Sequence, residues 1–157
     1  MKKLALALAA LTVSTPVVAQ DFTGPRVGVE VGLVDDDFLG SEDVTWGLVA
    51  GYDVDLGQAI VGGTVSYTDL FDDDFGFREL SVGGRAGAKV AANALLYGSI
   101  AYSDVKVSNF SVDGVKFGVG AEMQMTPNVF VNIETRYGTY EADVDLYHTV
   151  VGVGYRF

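Results

Sequence analysis

The chain has 157 residues, of which 49% are hydrophobic and 20% are charged, and it contains no cysteine. This length fits one domain. Without cysteine, a disulfide framework and a thiolate metal site are excluded. The net charge is −11 with only ten Lys and Arg, so the chain lacks the basic surface that a nucleic-acid partner requires.

Residues 1–19 have the pattern of a secretory signal peptide. Lys2 and Lys3 precede the apolar run LALALAALTV, and small residues ahead of Gln20 form a cleavage site after Ala19. The apolar run is too short for a transmembrane helix, which needs about 20 residues. Cleavage would leave a barrel domain at 20–157 with eight Lys and Arg against 21 Asp and Glu, a net charge of −13.

Beyond residue 25 the sequence alternates large apolar residues with small or polar ones, the two-residue period of β-strands. In RVGVEVGLV, at 26–34, three valines and Leu33 share one face while Glu30 and two glycines share the other. Residues 95–103 are ambiguous, and we favour a face of Leu96, Ile100 and Tyr102. The same period predicts eight strands, at 26–34, 44–53, 59–68, 78–90, 95–103, 114–125, 129–137 and 146–157.

Strand and connection lengths indicate a membrane barrel. Strands of this length are long for a soluble sheet and match the roughly 9–11 residues that a tilted strand needs to cross a bilayer. Short turns (VDLGQ, AANA, TPN) alternate with longer acidic segments at 35–43, 69–77, around 104–113 and at 138–145. We predict an all-β, eight-stranded antiparallel up-and-down transmembrane β-barrel with short periplasmic turns and four longer extracellular loops.

The composition of the two strand faces distinguishes this barrel from a soluble ligand carrier. The face opposite the aliphatic one combines charges with many glycines, and glycine is a poor exterior for a soluble sheet because it weakens strands. In a narrow lumen, glycine instead makes room for bulky charged neighbours. We therefore predict a charge network inside the barrel, which fills a polar core or, alternatively, gates a polar path. Its predicted members are Glu30, Arg85, Lys89, Lys116, Glu122, Glu134, Arg136 and Arg156.

Aromatic residues on the outward face lie near the strand ends, as expected for two girdles at the membrane interfaces. Scattered aromatic packing in a soluble core is the alternative. Toward the loops these residues are Trp46, Tyr67, Tyr137 and Tyr147, and toward the turns they are Tyr52, Tyr155 and Phe157.

The final residues, VVGVGYRF, resemble the C-terminal signature of bacterial outer-membrane proteins in Gly152, Tyr155 and the terminal Phe157. The polar residue that is usual near Val150 is missing. Residues 26–157 as a whole resemble the small outer-membrane β-barrel family of opacity proteins and OmpA-type transmembrane domains. The resemblance implies export through a cleaved signal peptide, recognition by the barrel-assembly machinery, and a place in the cell outer membrane of a Gram-negative bacterium.

Residues that carry chemistry are few. The one histidine, His148, falls on the inward face of the last strand and lacks the serine that small barrel lipases and lipid A deacylases use. We therefore expect no catalytic residue, no enzyme activity and no cofactor. Two acidic runs are weak candidates for Ca²⁺ or Mg²⁺, although solvated acidic loops explain them more simply and an EF-hand pattern from Asp35 fails. These candidates are Asp35, Asp36, Asp37, Asp72, Asp73 and Asp74.

The predicted function is a non-enzymatic surface barrel, a monomer whose acidic loops serve envelope structure, surface interaction or adhesion. Its expected partners are outer-membrane lipid, lipopolysaccharide, the assembly machinery and an unidentified surface ligand. The alternatives are a lipid-modifying barrel enzyme, which requires His148 in a rim cleft beside a nucleophile, and a narrow pore or small-solute carrier, which requires a continuous water path.

Overall fold

Eight β-strands account for nearly all of the described chain. The computed structural model describes residues 21–36, 42–71, 77–107, 110–140 and 144–157. The strands are β1 Gly24–Asp36, β2 Glu42–Asp55, β3 Ala59–Leu70, β4 Phe77–Ala91, β5 Ala94–Val107, β6 Phe110–Gln124, β7 Val129–Tyr140 and β8 Val144–Arg156. The predicted signal peptide lies outside the described residues and stays a prediction.

The strands form a closed barrel in which each strand pairs with its sequence neighbours and β1 also pairs with β8. Every pairing is antiparallel. Closure leaves no unpaired strand edge, which a sheet in hydrocarbon requires because lipid cannot satisfy backbone polar groups. We call the end with the connections 56–58, 92–93 and 125–128 the turn rim, and the opposite end the loop rim.

The two faces of the barrel have the predicted inverted polarity. Val29, Val119 and Val151 point outward, with 51%, 70% and 57% of their surface exposed. Glu30 and Arg85 point inward and are almost fully buried. The predicted fold class, an eight-stranded antiparallel barrel with apolar residues outside and charges inside, is confirmed.

The face assigned to residues 95–103 is also correct, because Leu96, Ile100 and Tyr102 all point outward and are about half exposed. Within the described ranges, no helix is long and apolar enough to cross a membrane.

The prediction of a long loop around 104–113 is wrong. β5 continues to Val107 and β6 begins at Phe110, so two residues connect them. Pairing continues through Asp104 opposite Asp113 and Val105 opposite Val112. The apolar alternation changes phase beyond Tyr102, because Val105 is buried while Asp104 and Lys106 take the outward positions. Other loops also contract, to 37–41, 71–76 and 141–143, because the strands extend further than predicted.

The outward position of Val119 gives a direct stability test. Replacement of Val119 by Arg should lower the free energy of unfolding in lipid vesicles by about 2–4 kcal/mol, because the cation would face hydrocarbon. Denaturant titration of folded barrels measures the change. Val119→Leu should stay near the parent value, and an equal effect of the two substitutions would contradict the assigned face.

Candidate functional site

The lumen is filled by ionised side chains, which we call the lumenal network. Each of its six cations lies within 4.0 Å of at least one carboxylate. All eight sequence-predicted members point into the lumen, joined by four that the prediction missed. The network consists of Arg26, Arg85, Lys89, Lys116, Arg136 and Arg156 with Glu30, Asp53, Asp55, Glu79, Glu122 and Glu134.

The densest part of the network is a turn-end cluster around Asp53, which is completely buried. One Asp53 oxygen lies 2.6 Å from Arg85, 2.9 Å from Arg156 and 3.1 Å from Arg26. Glu122 completes the cluster, 2.8 Å from Arg85 and 2.7 Å from Arg156. Two carboxylates thus hold three guanidinium groups by charge-assisted hydrogen bonds, which are among the strongest in proteins.

The segment before β1 closes the turn end of the lumen. Gly24, with φ of +126°, allows residues 21–23 to turn back into the barrel mouth. Phe22 is completely buried there, with its amide donating to Asp55 and its carbonyl accepting from Arg156. The Lys89 amine lies 5.3 Å from the centre of its ring, close enough for cation–π attraction. The Phe22 side chain therefore fills the turn end of the lumen.

A middle cluster is centred on Arg136, on β7. Its Nη2 lies 2.9 Å from both Glu30 and Glu134. Glu134 also accepts hydrogen bonds from Ser99 at 2.5 Å and Tyr97 at 3.2 Å. Residues from β1, β5 and β7 are thereby joined across the lumen.

Nearer the loop rim, Lys116 pairs with Glu79 at 2.7 Å. Glu79 also accepts hydrogen bonds from Tyr140 at 2.9 Å and from Ser103. These contacts extend the polar filling across β4, β5, β6 and β7.

His148 belongs to this polar core. It is 6% exposed, faces the lumen, and its Nε2 lies 2.8 Å from the hydroxyl of Thr45. A histidine in this position has no access to the lipid surface.

Lumenal glycines make room for the network. A Cβ at Gly51 would lie 3.0 Å from the Arg26 guanidinium, and a Cβ at Gly62 would collide with Asp53. A Cβ at Gly118 would overlap Glu134 and Ser99. The glycine-rich inward face is therefore a steric requirement of packing charged side chains in a narrow barrel.

A small cavity of about 40 Å³ lies among the clusters. It is lined by charged and polar side chains, among them Arg85, Lys116 and Arg136. The Nη1 of Arg136 has no hydrogen-bond partner among the described residues. A polar cavity of this kind accommodates water.

The outward aromatic residues form contacts near both rims. Trp46 and Tyr67 are in tilted contact with ring centres 5.9 Å apart, and the ring centres of Tyr137 and Tyr147 are 5.1 Å apart. Both pairs lie toward the loop rim. Toward the turn rim, Tyr52 is 54% exposed.

The C-terminal residues lie at the turn rim. Tyr155 and Phe157 point outward with ring centres 4.9 Å apart, whereas Gly152 faces the lumen. Their recognition by an assembly machinery stays a prediction. Among the weak metal candidates, Asp35 and Asp36 belong to β1, and the others lie outside the described residues.

Sequence reasoning missed Arg26, Asp53, Asp55 and Glu79. Arg26, Asp53 and Glu79 lie within the predicted strands with inward parity, so parity alone could have found them. Only Asp55 lies beyond a predicted strand end, because β2 continues to Asp55. Phe22 lies before the first periodic residue, and no sequence signal placed it inside the lumen.

The fold, the inverted faces and the charged lumen together define an outer-membrane β-barrel. A family model described as "outer membrane protein beta-barrel domain" matches residues 4–157. The chain belongs to this family, and its location is the outer membrane of a Gram-negative bacterium. A comparison with curated protein sequences gave no match.

Three similar solved structures support the fold. The N-terminal barrel domain of Pseudomonas aeruginosa OprF has a TM-score of 0.65 and 16% identity, covering 84% of this chain and 97% of that one. Ail, the attachment invasion locus protein of Yersinia pestis, has a TM-score of 0.63 and 21% identity, covering 88% and 99%. The outer membrane enzyme PagL has a TM-score of 0.62 and 13% identity, covering 84% and 99%. One of these three similar proteins is named as an enzyme and two are not, so the fold alone does not identify an activity.

The turn-end cluster predicts a large effect of neutralising Asp53. Asp53→Asn leaves three buried guanidinium groups with one remaining carboxylate, so we expect a loss of about 3–5 kcal/mol in the free energy of unfolding. Denaturant titration in vesicles measures this loss. The same substitution at the exposed Asp43 should change stability by less than about 0.5 kcal/mol, and equal effects at the two sites would contradict a structural role for the cluster.

Proposed function

We propose that this protein is a non-enzymatic surface barrel that presents acidic loops outside the outer membrane for envelope structure, surface interaction or adhesion. The lumenal network fills and rigidifies the scaffold, and neither a reaction nor solute passage takes place in it. Loops on rigid scaffolds are common sites of recognition.

The separation of charge along the barrel is the observation that carries this proposal. The lumenal network contains six cations and six carboxylates, so it is formally neutral. Of the 21 acidic residues, these six lie in the lumen and Asp21 lies at the turn rim. Eight of the other 14 lie in the described strands toward the loop rim, and six belong by sequence to the connections at that end, outside the described residues. Two of the eight Lys and Arg beyond the predicted signal peptide also lie toward the loop rim, so the sequence assigns this end a net charge of −12.

The arrangement gives less support to a lipid-modifying enzyme. An enzyme acting on lipid needs its nucleophile and base at the lipid surface. His148 instead faces the lumen and is hydrogen-bonded to Thr45.

The arrangement also gives less support to a pore or carrier. Phe22 is completely buried in the turn-end mouth, and the Asp53 cluster lies behind it. Passage of a solute would require these contacts to break together.

Expression in a Gram-negative host tests the proposal. Cells carrying the protein should bind polylysine-coated beads, because a loop rim of this charge attracts a polycation. Asp72→Asn/Asp73→Asn/Asp74→Asn should lower that binding several-fold, whereas Asp21→Asn, at the turn rim, should leave it unchanged. Equal binding by all variants would contradict loop display.

Two further measurements distinguish the alternatives. We expect the same lipid A mass spectrum with and without the protein, and no steady conductance in planar bilayers. A new lipid A mass would identify an enzyme, and discrete conductance steps would identify a pore.

A further inference from the structure

Beyond the predicted signal peptide, two basic residues lie outside the lumenal network, and they are next to each other. Arg78 on β4 and Lys106 on β5 are direct cross-strand partners. Both side chains are exposed. Both share the outward parity of Leu80 and Tyr102, which are 57% and 52% exposed. The barrel thus presents a pair of cations, which we call the basic pair, sideways from its wall and close to the loop rim.

This placement is unfavourable in isolation. Side chains directly opposite each other on antiparallel strands have Cβ atoms about 4.5–5.5 Å apart, and like charges in such positions destabilise the pairing. Acidic residues are frequent near the loop rim, and a carboxylate in place of either cation would form an opposite-charge pair instead. An anion between the two side chains, supplied from outside the chain, would relieve this repulsion.

Among the described residues, the neighbouring carboxylates only weakly neutralise the basic pair. Asp104 lies 4.0 Å from the Lys106 amine, and both groups are exposed, so their attraction is small. Asp69 lies opposite Arg78 in the strand register. Its two oxygens accept hydrogen bonds from the Tyr67 hydroxyl at 2.7 Å and from a backbone amide at 2.9 Å. No described carboxylate lies within 4.0 Å of Arg78.

The depth of the pair matches the level of lipid headgroups. Arg78 is level with Asp69, two residues beyond the interfacial Tyr67, which corresponds to about 7 Å along the strand. Lys106 lies two residues beyond Asp104, which is level with Leu80 and Tyr67 in the strand register. Interfacial aromatic rings lie at the boundary between hydrocarbon and headgroups, so side chains just beyond them and pointing outward meet the headgroups of the surrounding leaflet.

We propose that Arg78 and Lys106 form a binding site for a phosphate group of lipid A in the outer leaflet around the barrel. The Arg78 guanidinium supplies a planar pair of donors suited to phosphate oxygens, and the Lys106 ammonium supplies a second, flexible positive charge. The lateral direction of both side chains favours a membrane lipid over a soluble phosphate compound. The site is separate from the loop display proposed above, and each can fail without the other.

Native mass spectrometry of the folded barrel in detergent micelles tests this site. The micelles contain diphosphoryl lipid A, dephosphorylated lipid A or phosphatidylglycerol as the probe. Arg78→Gln/Lys106→Gln should reduce retention of diphosphoryl lipid A about tenfold relative to the parent, equivalent to about 1.4 kcal/mol. Dephosphorylated lipid A should be retained weakly by both proteins. Heat-modifiable gel mobility verifies that each variant is folded.

Matched variants separate the site from general electrostatics. Thr139→Glu lowers the net charge at an exposed position near the loop rim of β7 and should leave lipid A retention unchanged. Asp104→Asn, which removes the carboxylate nearest Lys106, should increase retention. Equal retention by the parent and Arg78→Gln/Lys106→Gln, or an equal loss in Thr139→Glu, would overturn the proposal. Displacement of lipid A by an equal concentration of inorganic phosphate would overturn the assignment to a lipid.

Discussion

The constraint on which the rest of this structure depends is the contact between strand side chains and hydrocarbon. Because lipid neither solvates charges nor satisfies backbone groups, the sheet must close and its ionised side chains must turn inward. An arginine such as Arg85 is then removed from bulk water and requires carboxylates, which Asp53 and Glu122 provide. The narrow lumen in turn requires glycine at particular contacts, such as Gly62 beside Asp53 and Gly118 beside Glu134.

Neutrality inside the lumen determines the electrostatics outside it. Buried carboxylates and cations pair with each other because an unpaired buried charge is costly. Almost all basic residues are used in this way, so the loop rim keeps an uncompensated acidic character. Arg78 and Lys106 are the exceptions, and their outward position near the membrane surface gives them a different partner from the lumenal cations. The proposed acidic display and the proposed lipid contact both rest on this one distribution of charge.

The sequence predicted the features that repeat. Alternation over segments such as 26–34 indicated strands, and the Gly and Glu30 face indicated the lumen correctly. The sequence could not show which charges pair, because Arg136 contacts Glu30 more than 100 positions away, and such contacts depend on barrel register. The lengths of β5 and β6 were also underestimated at 104–113. Asp104 and Asp113 are typical of loops, but here they pair with each other and extend the two strands. Phe22 was missed because its burial depends on closure of the whole mouth.

The orientation of β7 provides the most direct test of the account. The chain contains no cysteine, so single cysteines can be introduced at each of positions 131–137 and spin-labelled. Electron paramagnetic resonance is then measured on each labelled barrel in vesicles, after its folding has been verified. Oxygen, which concentrates in lipid, should relax labels most strongly at 131, 133 and 135 and least at 132, 134 and 136. The opposite alternation, which would place positions 134 and 136 in lipid, would contradict the inverted barrel and everything derived from it.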